Sequence, residues 1–288
     1  MTYTWILILT GFSFFIGLVA PVAGIGGGVL FVPLAAAFFP FNIDFIRGAG
    51  LILALTSSLT STPYLVQKGL ANLKIMIPLV VVSNITAIIG SVAGLRITNV
   101  IQSGESWIII FLGLILVMIF LFMILSKRVE FPEVDKADLL SQSLGLEGSW
   151  YEPSRNEVIN YKTTNFIYGL ILFAGVGLIA GMFGLGAGWA SVPVLNLVMG
   201  APIKIAVATS MAIITVNTSS ASWIYISRGA ILPIICVPSV TGMSLGAWLG
   251  AKIAAVARPI FIKYLVMGIM LFAGVIDIIK GLKGLGII

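Results

Sequence analysis

PVAGIGGGVLFVP, residues 21–33, sets Gly24, Gly26, Gly27 and Gly28 inside an apolar run long enough to be buried in lipid. Glycine in a helix interior costs about 1 kcal/mol relative to alanine. In hydrocarbon every backbone N–H and C=O needs a partner. Non-helical chain at membrane depth therefore survives only where it is enclosed by protein or lines a cavity. The rest of the chain makes a lipid setting the natural one. Of its 288 residues 59% are hydrophobic and 9% charged, and the mean hydropathy is +1.15. Apolar segments of about 20 residues recur, the length that crosses about 30 Å of hydrocarbon as a helix. The expected class is all-α: a polytopic membrane protein with two homologous four-helix halves and a broken first helix in each. Spans are expected near 4–23, 47–66, 74–97, 106–125, 164–183, 204–226, 230–252 and 260–280, with shorter apolar pieces at 28–40 and 188–199.

The duplication is visible at a fixed offset. GLVAPVAGIGGGVLFVP at 17–33 matches GLIAGMFGLGAGWASVP at 177–193, an offset of 160 that pairs Gly24 with Gly184, Gly26 with Gly186, Gly28 with Gly188 and Pro33 with Pro193. It runs on without a gap to Lys68 with Arg228 and Pro78 with Pro238. The organisation expected is a first membrane repeat, 1–125, an extramembrane linker, 126–163, and a second repeat, 164–288. If each half crosses four times, both termini and the linker share one side. That side then collects ten Lys and Arg against six, which the positive-inside rule places in the cytoplasm. If the short pieces cross fully, each half has five spans and the repeats are inverted.

Two glycine breaks at matching places in two halves point to a transport site near the midplane, built from discontinuous helices. The arm after each break begins at the glycines. Its free N–H groups and positive dipole end suit an anion, so Gly24, Gly26, Gly27 and Gly28 are candidate substrate contacts, with Gly184, Gly186, Ala187 and Gly188 as their mates. Glycines at four-residue spacing also let helices pack closely, which is the reading for Gly242, Gly246 and Gly250, and for Gly90 and Gly94. A second constellation follows the breaks. Ser57 and Thr60 in TSSLTSTP (56–63) match Asn217 and Ser220, and Gly50 matches Ser210. The spacing puts each trio on one helix face. Hydroxyls and an amide there donate hydrogen bonds to oxyanion oxygens without burying a charge, although such residues also bond neighbouring helices or their own backbone.

The remaining composition narrows the chemistry. There is no histidine and one cysteine, Cys236, so a Ser-His pair and an intrachain disulfide are excluded. No Gly-Lys-Ser/Thr phosphate loop is present, no cofactor or metal is implied, and the sixteen Lys and Arg are scattered between helices without forming a nucleic-acid patch. Asp44, Glu105 and Asp277 are read as interfacial, and Arg47, Lys68, Arg96, Arg228 and Lys252 as helix-end residues that snorkel to the headgroups. Expected partners are a small anionic substrate and the lipid bilayer, with a homo-oligomer left open. An anion channel, or a membrane scaffold or sensor acting through the linker, are the alternative functions.

At GIGGGVLFVPL (24–34), GLGAGWASVPVL (184–195), AVATSM (206–211) and SRGAI with its mate QKGLA, the sequence resembles the sulfite exporter TauE/SafE family, also called the toluene sulfonate uptake permeases. The likeness covers both halves apart from the linker. It implies a duplicated four-helix unit in the cell (inner) membrane, without enzymatic activity, that moves sulfite or organosulfonates. Two departures bear on symmetry: Pro21 stands where the second half has Gly181, and RGAGLI (47–52) where it has VATSMA. The second removes hydroxyls from one side and lets the second half dominate recognition.

Overall fold

The computed structural model describes residues 2–125, 132, 134, 137–152, 156–256 and 260–287. The first half comprises α1 (Thr2–Ala23), α2 (Gly27–Phe38), α3 (Ile43–Gln67), α4 (Leu73–Val100) and α5 (Gly104–Leu125). The linker holds a short helix α6 (Leu139–Ser143) and an antiparallel hairpin of β1 (Glu147–Glu152) and β2 (Glu157–Lys162). The second half comprises α7 (Phe166–Phe183), α8 (Gly188–Pro193) continued by a π turn (Val194–Val198), α9 (Ile203–Ser227), α10 (Pro233–Val256) and α11 (Ile260–Gly284). Seven of the described helices, α1, α3, α4, α5, α7, α9 and α10, are long and apolar enough to cross a membrane, and α11 has 25 residues. The protein is a multi-pass helical membrane protein.

Both helix breaks are present, and both turn the chain back. Gly24 and Gly26 hold φ of 70° and 71°, and Gly184 and Gly186 hold 71° and 74°, backbone that only glycine adopts without strain. After the first turn α2 runs back along α1: Trp5 meets Phe39 with ring centroids 5.8 Å apart, and Phe12 meets Phe31 at 5.9 Å. After the second, the π turn returns to the start of α7, where Thr164 N–H donates to Met199 O (3.0 Å) and the Asn165 side chain to Val198 O (3.1 Å). Each pair is a re-entrant helical hairpin. At about 1.5 Å per residue, a return arm of 11 or 12 residues spans roughly half a bilayer.

Helix directions follow from the close contacts. Gly246 and Gly250 of α10 would place a Cβ 2.1 Å from Phe14 O and 2.5 Å from Leu18 O, so α1 and α10 run parallel. Gly177 and Gly181 of α7 lie likewise against Ser83 O and Ala87 O of α4. These glycines, with Gly242, Gly90 and Gly94, serve backbone-to-backbone packing. In contrast, α5 and α11 run antiparallel, with Gly113 against Gly274 O and Gly281 against Ser106 O. The 160 offset makes α5 and α11 repeat mates. Mates related about the membrane normal would run the same way, so the pseudo-two-fold axis lies in the membrane plane and the halves are inverted.

This corrects the topology expected from hydropathy. The pieces 28–40 and 188–199 neither cross fully nor leave four crossings per half; each returns as the second arm of a hairpin. A half is one re-entrant hairpin plus three crossing helices. Three is odd, so the termini lie on one face and the linker on the other. Lys68 and Arg228, which are repeat mates, accordingly sit on opposite faces.

Candidate functional site

The two hairpin tips meet at the centre of the molecule. A Cβ on Gly28 would lie 2.7 Å from Gly50 O, 2.8 Å from Leu185 O and 3.0 Å from Gly184 O, and one on Gly188 would lie 2.0 Å from Ile25 O. The tips also share a floor: Gly26 and Gly186 both abut Ile214 of α9 and Ala54 of α3. Ala54 and Ile214 are near the middle of their 25-residue helices, which puts both breaks at mid-depth. All eight candidate positions at the breaks, Gly24, Gly26, Gly27, Gly28, Gly184, Gly186, Ala187 and Gly188, are buried and brought together.

The side chains read as lining residues divide by role. Ser57 accepts from Gly27 N–H (2.9 Å) and donates to Ala54 O (3.1 Å), so α3 caps the first turn of α2 across the helix gap. Ser210 donates to Gly24 O (2.8 Å), tying α9 to the tip of the other half's hairpin. Asn217, the mate of Ser57, caps nothing; its amide nitrogen donates to Ser83 Oγ (2.9 Å) of α4. Thr60 is half-buried and donates to Thr56 O (2.7 Å) of its own helix, and Ser220 is half-buried on the same face of α9 as Asn217. The N-cap residue of α8, Ala187, makes no side-chain cap, and among the described residues no side chain from a neighbouring helix takes the place that Ser57 has at α2.

Residues that hydropathy assigned to the surface turn out to hold the second break. Arg47 is fully buried rather than snorkelling. Its guanidinium donates to Met182 O (2.8 Å), pairs with the Asp44 carboxylate, and lies 5.7 Å from the centre of the Tyr225 ring. Tyr225 donates to the same end of α7, 3.2 Å from Gly181 O and 3.3 Å from Met182 O. A cation and a hydroxyl thus satisfy carbonyls that a helix leaves open at its C-terminus. Asp44 also accepts from Thr98 (2.9 Å). The RGAGLI departure was the available signal: Arg47 stands where the other half has Val207, and an arginine about one turn into an apolar helix needs either water or a buried partner. Beside this cluster, on the terminus-side face, a cavity of about 520 Å³ is lined by Asn42, Asp44, Arg96, Asn99 and Arg228 among others. Asp277, expected at the interface, is fully buried in α11.

Among the described residues no group of three or more acidic, histidine or cysteine side chains is placed to hold a metal ion. The arrangement offers instead backbone donors and hydroxyls at the tips, and two basic residues, Arg96 and Arg228, in the cavity on the terminus-side face. The chain is similar to a Bacillus subtilis (strain 168) protein described as "Probable membrane transporter protein YunE", 24% identical over 269 residues that cover 91% of this chain and 92% of that protein. No solved structure matches it. The family described as "Sulfite exporter TauE/SafE" matches residues 9–276. Spanning both hairpins and all the helices that pack around their tips, that match shows that the chain belongs to the sulfite exporter TauE/SafE family.

Proposed function

We propose that this protein is a secondary transporter for a small sulfur-containing oxyanion, sulfite or an organosulfonate, that works by alternating access between its inverted halves. The observation that carries the reading is the meeting of two re-entrant glycine tips at mid-depth. Helix arms that start there bring a positive dipole end and first-turn amides to the place where the tips meet. The uncapped amides of Gly186, Ala187 and Gly188 are the principal donors. Gly24, Gly26, Gly27 and Gly28 form the partner tip, Ser57, Ser210 and Asn217 fix the shape of the site, and Thr60 and Ser220 supply hydroxyls beside it. The related half-sites exchange access as one hairpin unit rocks against the other. Lacking a nucleotide-binding motif or any histidine, the chain is read as a transport protein drawing on a gradient and not as an enzyme.

Orientation follows from charge. The linker sequence carries Lys127, Arg128, Lys136, Arg155 and Lys162, and Lys68, Lys74, Lys204 and Lys252 lie toward the same face. These outnumber Arg47, Arg96, Arg228, Lys280 and Lys283 opposite, which supports a reading with the linker in the cytoplasm of a protein of the inner cell membrane. The test is thermal stabilisation and proteoliposome flux of the purified protein with sulfite, thiosulfate, sulfoacetate, taurine, sulfate and chloride. Stabilisation and flux with sulfite or a sulfonate, and not with chloride, are expected. Equal responses to every anion, or none, would overturn the reading.

A further inference from the structure

Among the described residues, a buried carboxyl lies within the membrane-spanning helices and is not used by the anion site. Asp277 is fully buried, and neither of its carboxyl oxygens has a hydrogen-bond partner. It lies three residues beyond Gly274, which faces Gly113 where α5 and α11 cross, so its depth is about one helical turn from the midplane. Met270, Ala273, Asp277 and Gly281 recur at helical spacing and are all buried, on a helix that packs against α5, α2 and, less extensively, α1.

Few charges can answer this carboxyl. On α5 the one charged residue is Glu105, at the helix start, where it accepts from Ile43 N–H (3.2 Å). Neither α1 nor α2 carries any. On α11, Lys283 is in the last turn and Lys280 is one turn from Asp277, yet Lys280 Nζ donates to Ala36 O of α2. An ionised carboxylate without a partner is strongly disfavoured in such surroundings. A sodium- or calcium-like ion would need a shell of oxygen ligands, and no hydrogen-bonding group reaches the carboxyl. A single proton neutralises it without any shell.

We propose that Asp277 is a proton-binding site inside the membrane that couples anion movement to protons, with Lys280 as the switching counter-charge. The inference rests on the transporter reading and names its coupling ion. With the proton bound, Asp277 is neutral and Lys280 holds the C-terminal end of α2, the return arm of the first hairpin. When the proton leaves to water, the carboxylate draws Lys280 one turn back along α11, and Ala36 O loses its donor. The grip on one arm of the hairpin thus changes with one proton taken up or released. The first half has Val117 and Phe120 at the matching positions, so the device exists once.

The experiment uses the full-length protein in proteoliposomes and methanesulfonate, a strong-acid anion that brings no proton of its own. An imposed pH gradient is expected to drive wild-type uptake. Asp277→Asn is expected to lose gradient-driven uptake about tenfold or more while retaining methanesulfonate exchange at equal pH, because only the coupling is removed. Lys280→Met should slow gradient-driven uptake with exchange kept. Infrared difference spectra between acid and alkaline pH should show a protonated-carboxyl band in wild type that Asp277→Asn lacks. Undiminished gradient-driven uptake in Asp277→Asn, or identical spectra, would overturn the proposal. Wild type that moves no anion at all would instead refute the transporter reading, and the infrared band would still decide the proton site.

Discussion

The two hairpin tips share one backbone and differ in the chemistry that holds them. At the first tip a hydroxyl from α3 accepts the Gly27 N–H and a hydroxyl from α9 donates to Gly24 O, so one donor and one acceptor are satisfied by neutral groups. At the second, Arg47 and Tyr225 satisfy carbonyls at the end of α7, while among the described residues no side chain caps α8. The first tip is balanced; the second keeps its acceptors covered and its donors open. An inverted repeat therefore need not give two equal half-sites. A left-handed glycine turn fixes the geometry, and the neighbouring helices decide the local charge.

The largest effect should come from taking the cation out of the second tip. Arg47→Met leaves Met182 O with the Tyr225 hydroxyl alone and takes the cation from Asp44, a loss of about 3–5 kcal/mol for breaking a buried pair. It should appear as a large fall in the thermal unfolding midpoint, with Val207→Ala at the matched position costing much less. Equal midpoints for the two variants would dissolve the distinction drawn between the tips. At the first tip the stakes are smaller. Ser210→Ala leaves Gly24 O unsatisfied, about 1–3 kcal/mol, and Ser57→Ala removes a helix cap, about 1 kcal/mol; denaturant unfolding in detergent would read both.

Anion binding sharpens the comparison from the functional side. Gly186→Leu forces a side chain into left-handed backbone at the open tip, beside Ala54 and Thr218. It should weaken sulfite-induced thermal stabilisation at least tenfold, about 1.4 kcal/mol, in protein that still elutes as a folded species. Gly26→Leu at the balanced tip should weaken it less. Retained binding by folded Gly186→Leu protein would count directly against the amide cradle.

The smallest effect lies outside the membrane. Tyr161 of the linker hairpin accepts a hydrogen bond from the Asn72 side chain (2.7 Å). Burial pushes its hydroxyl above its ordinary value of 10.0, with the Asn72 bond pulling the other way. Because the folded value is raised, the unfolded chain ionises first. The neutral ring's contribution is intact below pH 10.0 and fades as pH climbs through the folded value. Tyr161→Phe should cost about 1 kcal/mol at neutral pH, lack that alkaline loss, and leave anion binding untouched.

Much of this was legible before any coordinates. Helix class, duplication and the location of both breaks follow from apolar length and from the glycines at an offset of 160, because each depends only on local chain chemistry. The close-packing role of Gly242, Gly246 and Gly250 was legible too, since a four-residue glycine ladder has one common use in lipid. The re-entrant path was not. An apolar arm of 11 or 12 residues reads alike whether it crosses or returns, and the return shows only in tertiary contacts such as Trp5 with Phe39 and Thr164 with Met199. Arg47 and Asp277 escaped for a related reason: a charge near a helix end can reach water or turn inward, and hydropathy carries no information on which face of the helix is covered.

The sequence by itself determined that the chain must be a helical membrane protein made of two related halves, each with a place where glycine frees the backbone from the helix. Tertiary structure decided that the halves are inverted, that the two tips meet, and that unlike residues secure them. Periodicity and propensity act over a few residues, whereas Ser210 meets Gly24 across 186 positions of chain. A pairing at that range exists only once whole helices have settled their directions, and those directions are fixed by which backbones can approach one another across glycine.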